Sequence, residues 1–291
     1  MASINILIDR SLARARDGRA QDRGGEHFLL DAVAADLTDR VAGMSASFSS
    51  PLDLSPRAGI LAGDISKTDK ARNWILAPSC SPAGEMNRPV AVTDEEWLPF
   101  APASFDLVVS GLGLHRVNDL PGALIQINRA LKPDGLFLGA LFGGATLSEL
   151  KTSLAEAEAE ITGGASPRVM PFADVSALGQ LMSRAGFALP VADVERRIAR
   201  YTTMFDLVTD LRAMGETNSL KARSRTPLRR KVFLRAGEIY AARFADPDGR
   251  LRATFDIVTL TGWHPHASQQ QPLAPGSAKM PLADALKAVK S

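Results

Sequence analysis

Two short apolar runs, residues 105–110 (FDLVVS) and 136–141 (LFLGAL), limit this chain's fold most tightly. A run of six residues, apolar almost throughout, reads as a strand covered on both faces of a parallel sheet. Residues 119–131 (DLPGALIQINRAL) lie between them at helical spacing. Asp119 can cap that helix and Pro121 fits its first turn. Lys132-Pro133-Asp134-Gly135 predicts a turn into the second run. Strand, helix, strand in this order is a βαβ unit, which implies an α/β fold with a mostly parallel sheet.

The flanking sequence extends the pattern. Residues 26–43 place Phe28, Leu29, Val33, Leu37 and Val41 at three- and four-residue steps, with Gly43 as a stop. Residues 51–54 (PLDL), 72–77 (RNWILA) and 90–93 (VAVT) read as strands, and 78–89, with three prolines, as loop. Helices are expected over 146–161, 174–187 and 202–214, and a late strand over 255–260 (FDIVTL). The chain divides into an N-terminal polar arm or helix over 1–25, one domain over 26–265 with a helical insertion or lid around 146–235, and a loose tail over 266–291, rich in Gln, Pro, Gly and Ser at its start.

Composition narrows the function. With 291 residues and a net charge of +2, the chain lacks the dense basic face of a nucleic-acid binder. Cys80 is the only cysteine, which excludes an internal disulfide and a thiolate metal cluster and fits a reducing compartment. No stretch approaches the roughly 20 apolar residues of a membrane span. Arg10, Arg14, Arg16, Arg19 and Arg23 are interspersed with Asp9, Asp17 and Asp22, and targeting presequences are poor in acids. The expected location is cytoplasmic. His27, His264 and His266 show no metal-ligand spacing, so no metal site is expected by motif.

The segment 90–144 carries an acidic pair before Leu-Pro-Phe, the FDLVVS strand and an R-x-L-K-P-D-G-L-F turn. In this order and spacing they resemble the UbiE/BioC-type branch of the class I S-adenosylmethionine (SAM) dependent methyltransferases. The words FGGATLSEL, SRAGF, YTTMFDLVTDLRAMGE and LTGW are similar to the subfamily of a mitochondrial complex I assembly factor, an arginine hydroxylase acting on a complex I subunit. The resemblance covers roughly residues 26–270. It implies a Rossmann-like, doubly wound sheet with its ligand at the carboxyl ends of the strands. It also implies SAM as cofactor, held by Asp53, Ser55, Gly59, Asp94, Glu95 and Ser110. Asp94 would meet the adenine amino group, Glu95 would supply backbone, and Trp97 would flank the ring. Gly111 and Gly113 would allow close backbone approach. His115 is a candidate general base, and also a residue that merely borders the pocket.

Two departures put the cofactor in doubt. The loop after the first strand should carry an acid and three alternate glycines. It reads Asp53-Leu54-Ser55-Pro56-Arg57-Ala58-Gly59, so Ser55 and Arg57 replace the first two glycines. A non-glycine residue at positive φ is disfavoured by about 1–2 kcal/mol, so the loop should be redrawn. At the ribose-binding position stands Ala77-Pro78-Ser79, with no carboxylate before Glu85. SAM binding is expected to be weakened or lost. Three functions stay open: a SAM-dependent methyltransferase acting on a small molecule or protein, a complex I assembly factor modifying a subunit's arginine, and a non-enzymatic binding module. The basic run 221–231 (KARSRTPLRRK) reads as a solvated loop and helix start or, less often, a face for an acidic protein.

Overall fold

The computed structural model describes residues 6–22, 24, 28–82 and 86–269. Its strands are β1 (Pro51–Asp53), β2 (Ile75–Leu76), β3 (Phe105–Gly111), β4 (Leu131–Phe142), β5 (Ala188–Tyr201) and β6 (Leu251–Trp263). They form one sheet in the order β2-β1-β3-β4-β6-β5. β2, β1, β3 and β4 run parallel, while β6 lies antiparallel between β4 and β5. The helices are α1 (Arg10–Asp22), α2 (Phe28–Ala42), α3 (Ile60–Ser66), α4 (Leu120–Ala130), α5 (Ser148–Thr162), α6 (Val175–Arg184), α7 (Met204–Ala213) and α8 (Arg230–Phe244). This is the expected α/β architecture.

The two apolar runs are strands for the reason their composition suggests. Side chains alternate across a strand. Leu107, Val109, Leu136, Leu138 and Ala140 enter the core built with α2, α3, α5, α7 and α8. Val108, Phe137 and Leu141 enter the opposite core, under α4 and α6. With both faces covered, no polar alternation can survive. The helix between them starts where expected: Asp119 accepts a bond from the Gly122 amide and Pro121 sits in the first turn. At the start of β3, Asp106 accepts from the Ser49 and Ser50 amides and the Ser49 hydroxyl.

Three local expectations are corrected. Residues 90–93 are no strand. They run beside β2 through bonds such as Ala91 N to Leu76 O (2.8 Å), but form a single isolated bridge, Leu76 to Val90. The Lys132–Gly135 turn is absorbed into β4 as an irregularity, with Asp134 at φ 63° and the pairing to β3 slipping between Phe105 and Leu107. The stretch 146–235 is not purely helical: it contains β5, fourteen residues long, paired with β6 from Ala188 to Tyr201. Residues 270–291 of the expected tail lie outside the described residues.

Candidate functional site at the carboxyl rim of the sheet

The parallel strands bring the expected cofactor residues to one rim. The register pairs Asp53 with Leu76 and Val109, so β1 and β2 end level and β3 runs two residues further, to Gly111. Asp53 is fully buried there, and its carboxylate is already committed. Oδ2 accepts from the Gly59 amide (2.8 Å) and the Ala62 amide (3.2 Å), capping the start of α3. Oδ1 accepts from the Ser55 hydroxyl at 2.6 Å. Burial lifts the Asp53 carboxyl above its ordinary range, and these donors oppose the lift.

Ser55 fills the place of the missing glycine with a bond of its own: its hydroxyl oxygen accepts from the Gly111 amide at 2.9 Å. It stitches the loop to the end of β3. Only Gly59 in this loop has positive φ (110°), so Ser55 and Arg57 occupy a redrawn backbone free of that strain. Ser110 is buried and donates to the Leu54 carbonyl (3.1 Å), so it ties β3 to the loop. Neither of the two glycines after it could carry a side chain without a shift. A Cβ on Gly111 would come within 2.8 Å of the Leu30 side chain, and one on Gly113 within 2.7 Å of Pro56.

Over this rim lies α1. Arg10, Ala13, Arg14, Asp17, Ala20 and Gln21 follow three- and four-residue steps and form one face of the helix. Arg10 donates to Asp94 Oδ1 (2.6 Å) and also pairs with Glu95. Arg14 takes the other oxygen of Asp94. The acidic pair expected to read adenine is thus neutralised by the chain's own arginines. Trp97, expected beside the ring, is 78% exposed. Gln21 donates to the Pro56 carbonyl and to the Cys80 sulfur, both at 3.3 Å.

Asp17 stands where the ribose acid is missing. Ser79 donates to its Oδ2 at 3.3 Å, and Arg116 donates to its Oδ1 at 2.7 Å. Asp17 and Arg116 are 3% and 5% exposed. Burial raises the Asp17 carboxyl, while Arg116 works against the rise. Burial likewise opposes the charge on Arg116, yet Glu216 and Asp17 hold it above its ordinary value. Glu216 is pulled down against burial by Arg116 and His115. His115 Nε2 lies 3.2 Å from Glu216 Oε2, and its ring packs on Phe142 at 4.8 Å. Its Nδ1 is buried with no partner among the described residues.

His264 lies at the far end of the sheet. Trp263 pairs with Leu136 at the start of β4, and His264 Nδ1 contacts the Asn128 side chain at 2.8 Å. His27 lies outside the described residues, and among those described no group of three or more His, Cys, Asp or Glu could hold a metal.

Two hollows result. One, of about 30 Å³, lies between Asp17, Pro56, Arg57, Gly111, Leu112 and Glu216. The other, of about 1170 Å³, opens on the C-terminal side under α5, α7 and α8. Phe142, Arg116 and Glu216 line both.

Comparison with known proteins decides the family. Residues 43–139 match the family described as "Methyltransferase domain". Across 97% of this chain and 90% of its own length, the protein named "Arginine-hydroxylase NDUFAF5, mitochondrial" of Danio rerio is 37% identical. The chain belongs to the class I methyltransferase family, in the branch that includes NDUFAF5. A malonyl-[acyl-carrier protein] O-methyltransferase of Halorhodospira halophila is 32% identical over 88% of each chain. The structure of a Burkholderia thailandensis 1,6-didemethyltoxoflavin-N1-methyltransferase is 13% identical, covers 88% of each chain at a TM-score of 0.50, and supports the fold alone.

Among class I methyltransferases the shared cofactor is SAM, and in this arrangement the residues do not fit it. The hollow beside Asp17, Pro56 and Gly111 is room for a water. Asp53 is spent on its own loop, and Asp94 and Glu95 on α1. Sequence reasoning missed the agents of this closure, Arg10, Arg14, Asp17, Arg116 and Glu216. A signal existed for the first three, since 10, 14 and 17 share a helical face. Nothing local marks Arg116 or Glu216, which meet across a hundred residues.

Proposed function

We propose that this protein is an assembly factor for respiratory complex I that modifies an arginine of one subunit, and that it does not act as an ordinary SAM-dependent methyltransferase. The observation that carries this reading is the pairing of Arg10 and Arg14 with Asp94 and Glu95, which closes the cofactor rim with the chain's own cations. The arginine-hydroxylase name of relatives 37–39% identical over nearly the whole chain supports the substrate. Deleting the gene should lower NADH dehydrogenase activity in membranes and leave one subunit arginine without its added oxygen by mass spectrometry. Full activity with the modification intact would sink the proposal.

A second reading, SAM-dependent methyl transfer to a small molecule or protein, is favoured by one observation: Asp94 and Glu95 still stand beside the ends of β1 and β2, needing only the departure of α1 to be free. Calorimetric titration of SAM separates the two. Silence at about millimolar SAM supports the first reading, and tight binding by the unaltered chain supports the second. The proposed compartment is the cytoplasm, on the half-buried free thiol of Cys80, which suits a reducing medium. The relatives' name includes "mitochondrial", so cell fractionation checks this directly.

A further inference from the structure

The large cavity has a chemistry that modification of an arginine does not explain. Its walls are apolar, with Phe142, Phe172, Phe233, Leu150 and Leu154 among them. Phe205 stands at the mouth, 59% exposed, its ring centroid 4.6 Å from that of Phe233. Eight arginines line the same space, against one carboxylate, Glu216.

Three of the eight are neutralised: Arg116 by Asp17, Arg168 by Glu158 and Arg223 by Asp9. The other five have no carboxylate partner among the described residues. Arg16 donates only to the Asn218 carbonyl and Arg19 only to the Ala15 carbonyl. The side chains of Arg212, Arg225 and Arg230 make neither ion pair nor hydrogen bond among the described residues; Arg225 acts only from a distance, helping to lower the Asp9 carboxyl. Arg16 feels the surplus, since burial first, and then Arg223 and Arg19, weaken its hold on its proton.

Unneutralised guanidinium groups against apolar walls focus a positive potential into the hollow. They repel cations and offer charge-assisted hydrogen bonds to a carboxylate or phosphate. The walls want an apolar body. Glu216, the one acid, is already taken by His115 and Arg116.

We propose that this cavity binds one anionic amphiphile, a long-chain carboxylate or phosphate monoester. Its chain lies along the phenylalanine wall and its head meets Arg212, Arg225 and Arg230. The volume, just above the range of drug-sized pockets, suits a lipid-sized molecule taken up singly. This goes beyond the complex I reading and stands without it.

The test titrates the full chain with oleate below its micellar concentration, with oleyl alcohol and oleylamine as length-matched neutral and cationic probes. One oleate per chain should bind, more weakly as salt rises. The alcohol should bind at least about tenfold more weakly and the amine not at all. The triple variant Arg212→Gln, Arg225→Gln, Arg230→Gln alters exposed side chains, so its melting temperature should stay at the wild-type value while oleate affinity falls about tenfold or more. Absent oleate binding, equal affinity for the alcohol, or an unaltered triple variant would overturn the proposal. So would complete displacement of oleate by polyglutamate, which would make this an acidic-polypeptide site. Retention on phosphatidylglycerol vesicles without uptake of monomeric oleate would make it a membrane contact, and would overturn the proposal as well.

Discussion

At the β1–β3 end of the rim, arginines from α1 meet carboxylates: Arg10 and Arg14 lie on Asp94 and Glu95, while Arg116 lies on Asp17, itself from α1. A few residues away, under α7 and α8, five arginines line a cavity of about 1170 Å³ without a carboxylate partner among the described residues. The first region borders a hollow of only about 30 Å³, with the Asp17–Arg116 pair in its wall. Where charges are matched within the chain, the space between them closes. Where they are unmatched and repel one another, it stays open and keeps affinity for an outside anion. A motif in the first region therefore says less about binding than its family pattern suggests.

The comparison can be broken most forcefully at Asp17. Asp17→Ala strands the Arg116 guanidinium with only Glu216, 3.8 Å from its Nε. Losing one partner of a buried pair should destabilise the fold by about 3 kcal/mol in urea denaturation. A loss under about 1 kcal/mol would mean that the pair does not fasten α1.

Next comes the outer pair. Arg10→Ala with Arg14→Ala should cost about 1–2 kcal/mol and raise amide exchange across α1 while leaving β3 and β4 protected. If freeing Asp94 and Glu95 reopens the rim, this variant gains SAM binding that Ser55→Gly does not. Ser55→Gly removes the acceptor of the Gly111 amide and should cost about 1–2 kcal/mol, yet leaves Pro56 and α1 in the cleft. SAM binding gained by Ser55→Gly alone would show that the loop, not the helix, closes the site.

A smaller, pH-dependent effect belongs to the cavity edge. The Arg168 side chain holds Glu158 at about 2, well below its ordinary 4.5. A depressed carboxyl contributes stability above its unfolded value and loses it as pH falls through the folded one. Glu158→Gln should therefore melt roughly 1–3 °C below wild type at neutral pH, and the gap should close between pH 4.5 and about 2. A gap independent of pH would assign the effect to packing. Smallest of all, Arg225→Gln alone should change stability by less than about 0.5 kcal/mol, since this exposed side chain makes no ion pair or hydrogen bond among the described residues and acts on Asp9 only from a distance.

Local chemistry made much of the fold legible. The Asp119 cap of α4 is a property of neighbouring residues, as is the box at the start of α7, where Thr203 and Asp206 exchange bonds. β5 was invisible for the opposite reason. It is an edge strand with Leu189, Val191, Val194 and Ile198 about half exposed and charges between them, so no buried face imposes alternation. Its order comes from backbone pairing with β6, sixty residues away. The site divided likewise. Asp53, Asp94, Glu95 and Ser110 were expected on one rim, and the tertiary structure gives each an internal partner.

By itself the sequence determined the parallel sheet and the positions of most helices. Those follow from periodicity, capping and handed connections, which act over a few residues. Only the tertiary structure decided that α1 closes the carboxyl rim and that a charged cavity opens beside it. Ion pairs between residues eighty or a hundred positions apart leave no mark in any local window. Whether a charge is spent or available depends on what folds against it.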